Sequence, residues 1–445
     1  MNSIILKFKI YCKIFTLVFL FFSVGHLYAQ QKANSLHQLN MLLINTVMDD
    51  LFTPPVASRI YVYPNIAFYQ CIIYQDSTYP SLVGKLTDLN SLPAPSINTT
   101  IDYSISAVVS FSIVAQSLVG SEYKFEDWRN HYIDSLRTIS NEDLLKSSID
   151  FGQRIADSII AWARKDNYIE SKGMMRNVLS DTLGSWQPTP NDYASGLEPN
   201  WFTLRPMTLQ SCSQFSPERK LVYSSSKKSD FYKNVLEVYS ISKKIDSLQR
   251  AVALYWDDNP NISVQEGHLT YFVHKISPGG HWLMIARQAC IQNNVSFVKT
   301  SFAYTLSAIS IYDAFISCWD EKYKTNLIRP VTVINQLIDD KWEPLIQTPP
   351  FPEFTSGHAV ISNAAATVLT TIFGDSFSFT DSTEIPFGKT PRTYKSFYEA
   401  SEESSWSRVY GGIHYPETAR ISIQQGKQIG NYVIQFFFKN GIPKK

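Results

Sequence analysis

The sequence predicts a mainly α-helical protein. In its long periodic segments apolar residues return every three or four positions, the spacing of one helix face. Long stretches of strand-type alternation are scarce. With 445 residues, 44% hydrophobic and 18% charged, the chain can bury a large core, as one big domain or two ordinary ones.

From the amino end, residues 1–29 read as a secretory signal rather than part of the fold. Lys7, Lys9 and Lys13 precede an apolar run of about 11 residues, and small residues then lead to Ala29. That run is too short to span a bilayer comfortably. The expectation is an exported chain, periplasmic or secreted, without stable membrane insertion. Helices are expected over 34–50, 103–119, 142–164, 231–255, 281–292, 300–319, 357–373 and 418–438. The clearest is 231–255, where Phe231, Val235, Val238, Ile241, Ile245, Leu248, Val252 and Tyr255 form one face, with Ser229 or Asp230 as cap. Residues 76–100, 180–217 and 376–395 read as loops rich in turn-forming residues. The second is long for an idle connection and is expected to wrap across the surface or cover a site. The division expected is an amino-terminal helical region, 30–220, and a carboxy-terminal bundle, 221–445.

A net charge of +1 gives no global reason to expect nucleic acid or an anionic membrane surface as partner. Export would place Cys71, Cys212, Cys290 and Cys318 where one or two disulfides could form, while no cysteine spacing suits a metal.

Chemistry concentrates in three short segments of the last third. In Trp319-Asp-Glu-Lys-Tyr-Lys-Thr-Asn-Leu-Ile-Arg-Pro330, Lys322 and Arg329 are seven apart, which on a continuous helix would put both on one face. Pro330 disfavours helix at Arg329, so the arginine is expected at a helix end or on the next turn. In FPEFTSGHAV, Ser356 and Gly357 lie where a helix begins, and free backbone N–H groups there favour an anion. His358 follows on the first turn, able to move a proton beside that anion. Ser407-Arg-Val-Tyr-Gly-Gly-Ile-His414 adds Arg408, a pair of glycines suited to a tight bend, and a second histidine. Each segment alone also reads as a helix cap, a basic patch or a turn. Together they describe a dense oxyanion cradle in which arginine forks make two-point contacts.

As a set, K-x6-R-P, S-G-H and S-R-x5-H resemble the vanadium-dependent haloperoxidases and their phosphatase relatives, the type 2 phosphatidic acid phosphatase superfamily. Residues 185–207, 252–258, 311–322 and the run PPVASRIYVY look like secreted bacterial members on the haloperoxidase side. The resemblance covers about residues 40–435, most strongly 250–416. It implies two four-helix-bundle-like halves. It also implies that Lys322, Arg329, Ser356, Gly357 and Arg408 hold the oxygens of vanadate or phosphate. His414 would bind vanadium, or attack phosphorus. His358 would be the acid/base, and Lys322 would polarise the peroxide. Trp319 and Phe351 would line the halide side, and Asp257 or Asp258 would pair with an arginine. The implied activity is oxidation of halide by hydrogen peroxide to hypohalous acid, which passes to a small organic acceptor. Iodide is favoured and bromide second, while Phe351 is also compatible with chloride. The alternative is an exported acid phosphatase working through a phosphohistidine. Two positions depart from the family pattern. Thr355 replaces the proline before Ser-Gly-His. Thr418 stands where the family places an aspartate that orients the histidine, so Glu417 or Thr418 is left to orient His414.

Three further residues carry both readings. His281 follows two glycines and is either a packed or capping histidine or a residue along the pocket entrance. Asp313, inside an apolar helix, requires a hydrogen-bonding partner. His268 and His274 read as ordinary residues rather than metal ligands.

Overall fold

A computed structural model describes residues 34–438, except 77, 176–179, 181, 261 and 267. The expected secretory segment, 1–29, lies outside them. Helix α1 (34–49) buries Leu36, Leu39, Leu43 and Val47, one face at helical spacing. Leu51 turns the chain through φ 57°, and two prolines open α2 (Pro54–Ile72). Every residue of α2 is buried, Pro64 included. The sequence shows no clear period here, because a helix buried on all sides, Arg59, Asn65 and Gln70 included, has no solvent face to read.

Helices α3 (Tyr103–Gln116), α4 (Tyr123–Arg137) and α5 (Glu142–Ala163) complete the amino-terminal layer, with α3 packed between α2 and α5. Asn141 caps α5 through the amides of Asp143 and Leu144. A single turn, α6 (Tyr168–Gly173), leads into the long irregular segment.

The helix expected over 231–255 is two helices, α7 (Asp230–Lys244) and α8 (Ser247–Tyr255). Asp246 and Gln249 form a capping box between them. That local cap restarts the helix although the apolar spacing runs on unbroken. After the hairpin β1 (Ile262–Glu266) and β2 (Leu269–Val273), α9 (Pro278–Gln292) starts on a Ser277 cap. Helix α10 (Phe297–Thr325) then crosses the molecule, buried from Phe297 to Lys322 apart from Lys299. Its neighbours are α2 and α9 on one side and α12 (Gly357–Phe373) and α14 (Pro416–Phe437) on the other. One hydrophobic core therefore runs from Leu36 to Phe437. Short α11 (Pro330–Leu337) follows α10, and the hairpin β3 (Phe379–Asp381) and β4 (Arg392–Tyr394) precedes α13 (Phe397–Tyr410).

Two contacts fix the parts that matter for the site. Helices α12 and α14 touch through glycine. A Cβ on Gly426 would lie 2.3 Å from the Val360 carbonyl oxygen, and one on Gly430 would lie 2.6 Å from that of Ala364. The irregular segment 180–217 is pinned across α10. Asp313 accepts from the amides of Met207 (2.7 Å) and Thr208 (2.9 Å) and from the Thr208 hydroxyl (2.6 Å). This is the partner that a buried acid required. Further along the same helix, Trp319 donates to the Leu197 carbonyl at 3.2 Å, and the Leu197 amide donates to Pro350 at 3.0 Å. Cys71, Cys212, Cys290 and Cys318 are free thiols, so the disulfides the sequence allowed are not formed.

Asp313→Ala would leave the Met207 and Thr208 amides buried without an acceptor, at roughly 1–3 kcal/mol for each lost partner. We expect urea unfolding to show a loss of about 3 kcal/mol or more; a loss under about 1 kcal/mol would contradict the pin. A pH dependence follows from His37, whose Nδ1 lies 2.9 Å from the Tyr304 hydroxyl. Burial, and then the Arg287 charge, push this ring down to about 4. Unfolding frees it to take a proton near pH 6.5. Its contribution is therefore complete above about pH 6.5 and is lost as pH falls towards 4, by at most on the order of 3 kcal/mol. Unfolding curves at pH 7 and pH 4.5 should differ less for His37→Gln than for the parent.

Candidate active site

Helix α10 ends at Thr325 because Asn326 adopts a left-handed conformation, φ 48°. Arg329 is then extended, immediately before Pro330 at the start of α11. Lys322 and Arg329 therefore do not share a helix face. They converge because the chain turns between them, with Pro330 excluding helix at Arg329.

The Lys322 ammonium is fully buried and donates to the carbonyls of Pro352 (3.0 Å), Glu353 (3.2 Å) and Thr355 (2.5 Å). It also lies 4.8 Å from the Phe351 ring centre. Trp319 and Phe351 pack on each other with centroids 5.1 Å apart. Arg329 is held by carbonyls at two atoms, Nε to Phe351 (2.9 Å) and Nη1 to Ile413 (2.8 Å). Arg408, from the last turn of α13, donates from Nη1 to the Trp256 carbonyl at 2.7 Å. Of the two acids in VALYWDD, Asp257 is the one beside Arg408, 3.9 Å from its Nη2.

Ser356 is the residue before α12, and Gly357 and His358 open that helix. The Ser356 hydroxyl makes no capping bond. A Cβ on Gly357 would meet only Trp319 Cζ3, at 3.7 Å, so protein packing does not require glycine here. Gly411 and Gly412 close α13. A Cβ on the first would strike Ile346 at 2.5 Å, and the second turns through φ 81°. This bend delivers His414 just ahead of α14.

Gly357, His358, Arg408 and His414 line one cavity, with Trp319, Phe351, Phe315 and Ile413 on its apolar side. Around it, Arg329 Nη2, Arg408 Nε and Nη2 and the Ser356 hydroxyl are buried donors without a hydrogen-bond partner in the protein, and His358 Nε2 likewise makes no hydrogen bond. Such a set of stranded donors fits an oxyanion, whose oxygens would satisfy them together. All seven cradle and histidine residues read from the sequence are thus brought to one place, and Trp319 and Phe351 to its rim.

Electrostatics favour the same occupant. Burial lowers the basicity of Arg408 and Arg329, Arg329 to about 10, which leaves both guanidinium groups charged. Burial, followed by the charge of Arg329, pushes His414 well below the ordinary histidine range; burial and Arg408 do the same to His358. Both rings are therefore neutral near pH 7. His414 Nε2 faces Arg329 Nη1 at 3.3 Å and keeps a lone pair.

The residue that orients His414 is neither Glu417 nor Thr418. Glu353 accepts from His414 Nδ1 at 2.8 Å and from the Tyr415 amide at 3.0 Å. Thr418 donates to the other Glu353 oxygen, at 2.9 Å, while Glu417 lies 3.3 Å from Arg420. Thr418 therefore bonds the acid that bonds the histidine. Glu353 escaped the sequence reading because it sits sixty-one residues before His414. Its one signal was a lone acid in an aromatic, proline-rich loop. Burial pushes its carboxyl up, with Arg329 and Lys322 pulling it back.

His281 does not line the entrance. It is fully buried behind the cavity, stacked on Trp256 with centroids 4.5 Å apart. His268 and His274 are exposed.

Residues 302–440 match the family model for the second helical-bundle domain of vanadium chloroperoxidase. A solved structure described as the first bacterial vanadium-dependent iodoperoxidase is 42% identical and superimposes with a TM-score of 0.87, covering 93% of this chain and 98% of its own. A holo-type bacterial vanadium-dependent chloroperoxidase is 16% identical with a TM-score of 0.64, covering 87% of this chain and 93% of its own. It shares the fold. A search of curated proteins found no match.

Glu353→Gln should let the His414 ring turn or change tautomer. Calorimetric titration of orthovanadate into the protein should show affinity reduced about 10–100-fold; unchanged affinity would remove Glu353 from the site.

Proposed function

We propose that this chain, which belongs to the vanadium-dependent haloperoxidases, uses hydrogen peroxide to oxidise iodide, and bromide less readily, at a vanadate held between Ser356 and His414. The observation that carries this reading is the ring of stranded donors around a neutral His414. Bound vanadate would supply Lewis-acid activation of the peroxide without a change of its own oxidation state.

The chain's residues take the remaining tasks. Arg329, Arg408, Ser356 and the first-turn amide of Gly357 would hold the oxyanion oxygens, and His414 Nε2 would bind the vanadium. Glu353 fixes that ring with Nδ1 protonated, which leaves Nε2 unprotonated and facing Arg329 Nη1. His358, neutral and with Nε2 unpartnered, can accept the proton of hydrogen peroxide. The Lys322 ammonium, already bonded to three carbonyls, presents its charge at the aromatic side where the oxidant is attacked. Trp319 and Phe351 give that side an apolar, polarisable wall that suits a large, weakly hydrated anion such as iodide. The 42% identical structure is described as an iodoperoxidase, which supports the same preference. Hypohalous acid would leave through this mouth and react with a small organic acceptor. We further infer from residues 1–29 that the chemistry takes place outside the cytoplasm.

Protein loaded with orthovanadate should form triiodide in a peroxide-dependent assay, and His414→Ala should abolish it. Full vanadate-dependent turnover by that variant would refute the role of His414. Absence of halide oxidation, together with strong turnover of a phosphate ester by the vanadate-free protein, would establish the phosphatase alternative instead.

A further inference from the structure

Behind His358 lies a second buried group that the proposed chemistry does not use. His281, on α9, has no exposed surface. Its Nδ1 lies 3.1 Å from each Asp258 oxygen, and its Nε2 lies 2.7 Å from Asp381 Oδ2 on β3. Asp381 is fixed in turn by the Thr383 amide at 2.9 Å. Both ring nitrogens face carboxylate oxygens, which can only accept, so both must donate. The ring is therefore an imidazolium. Its two aspartates raise its basicity well above the usual value against the effect of burial, and the Trp256 indole face stacked on it suits a cation.

Asp258 is the link to the cavity. Its Oδ2 is 3.9 Å from His358 Nε2, the atom proposed to take the proton. It follows Trp256 and Asp257, whose groups already face Arg408, and its own charge acts on Arg408 as well. Other charged or titratable groups around the ring are Glu384, with Oε1 3.9 Å from Nδ1, Tyr255, with ring centroids 6.0 Å apart, and, beyond Asp257, Lys275 at 2.7 Å. Burial, then Asp258, raises Glu384 to about 8, so it adds little negative charge below that pH.

We infer that His281 is a positioning residue: clamped between Asp258 and Asp381, it holds the Asp258 carboxylate behind His358 and away from the stranded Arg408 donors. Without the clamp Asp258 loses its only close cationic partner in this cluster and turns to Arg408 or His358. It would then occupy atoms that the oxyanion needs. The inference rests on the oxyanion reading of the cavity and adds that the second layer of charge is set from β3 and α9.

The test titrates orthovanadate into apoprotein calorimetrically and follows iodide oxidation by the loaded enzyme. His281→Ala should weaken vanadate binding about 10–100-fold and lower kcat, with the KM for iodide unchanged because the aromatic wall is untouched. Asp381→Asn should act in the same direction more weakly. In an Asp258→Asn background, adding His281→Ala should change vanadate affinity by less than about threefold, since its effect runs through Asp258. A folded His281→Ala protein that binds vanadate within about twofold of the parent overturns the inference, as does an undiminished effect in the Asp258→Asn background. If His281→Ala does not fold, unchanged affinity in Asp381→Asn overturns it. Asp258, His281 and Glu384 could also be read as ligands of one divalent ion. A stoichiometric divalent metal in the purified parent, lost in His281→Ala, would replace the protonated clamp. A parent that binds no vanadate would sink the oxyanion reading itself, whereas a binding parent with unaffected variants would sink only the clamp.

Discussion

Three buried cations crowd around one cavity, and much of the surrounding structure answers that fact. Lys322, Arg329 and Arg408 are each at most 1% exposed. Charges taken out of water are held only where partners compensate them. Backbone carbonyls supply part of that compensation, and the Glu353 and Asp257 carboxylates supply more, while Asp258 is matched by His281. What they leave over is positive potential at the mouth of α12, where the helix start adds its own partial charge. Burial, and then the same potential, keeps His358 and His414 neutral. An anion with several oxygens resolves all of these tensions together, whereas water would satisfy the donors without removing the charge.

The cradle is assembled from segments that could drift apart if the helices behind them were loosely packed. Lys322 comes from the end of α10, Ser356 and Gly357 from the start of α12, Arg408 from the end of α13 and His414 from the start of α14. Glycine contacts at Gly426 and Gly430 set the distance between two of these helices at backbone contact. The segment 180–217, tied at Asp313 and Leu197, closes over the end of α10. Geometry at the site thus depends on contacts well outside it, as interiors packed to solid density would require.

The periodic helices and the cradle residues were legible in the sequence, because a 3.6-residue repeat and three spaced motifs are local signals. Helix α2 was not, since burial on all sides erases its periodicity. Helix α13 was missed for a different reason: serine and glutamate dominate FYEASEESSWSRVY, although its serines are buried against α12. The break at Asp246 was overridden by apolar spacing that continues through it. Glu353 and the His281 clamp could not be read locally at all. Each joins residues sixty or more positions apart, except for the twenty-three between Asp258 and His281. Such pairings exist only once the fold has brought the segments together.

The loop from Phe351 to His358 has a consequence for how the enzyme could change. Within eight consecutive positions it carries Phe351 of the aromatic wall, three carbonyls that hold Lys322, the acid that bonds His414, and the serine, glycine and histidine proposed to hold the oxyanion and accept the proton. A mutational search limited to that short stretch would reach halide choice, cofactor grip and proton transfer at once. The same economy makes the stretch fragile, because few codon changes there would alter one property and spare the rest. Diversification of this enzyme should therefore be easier on the rim residues contributed by other segments, such as Phe315 and Ile413, than on the loop that carries most of its chemistry.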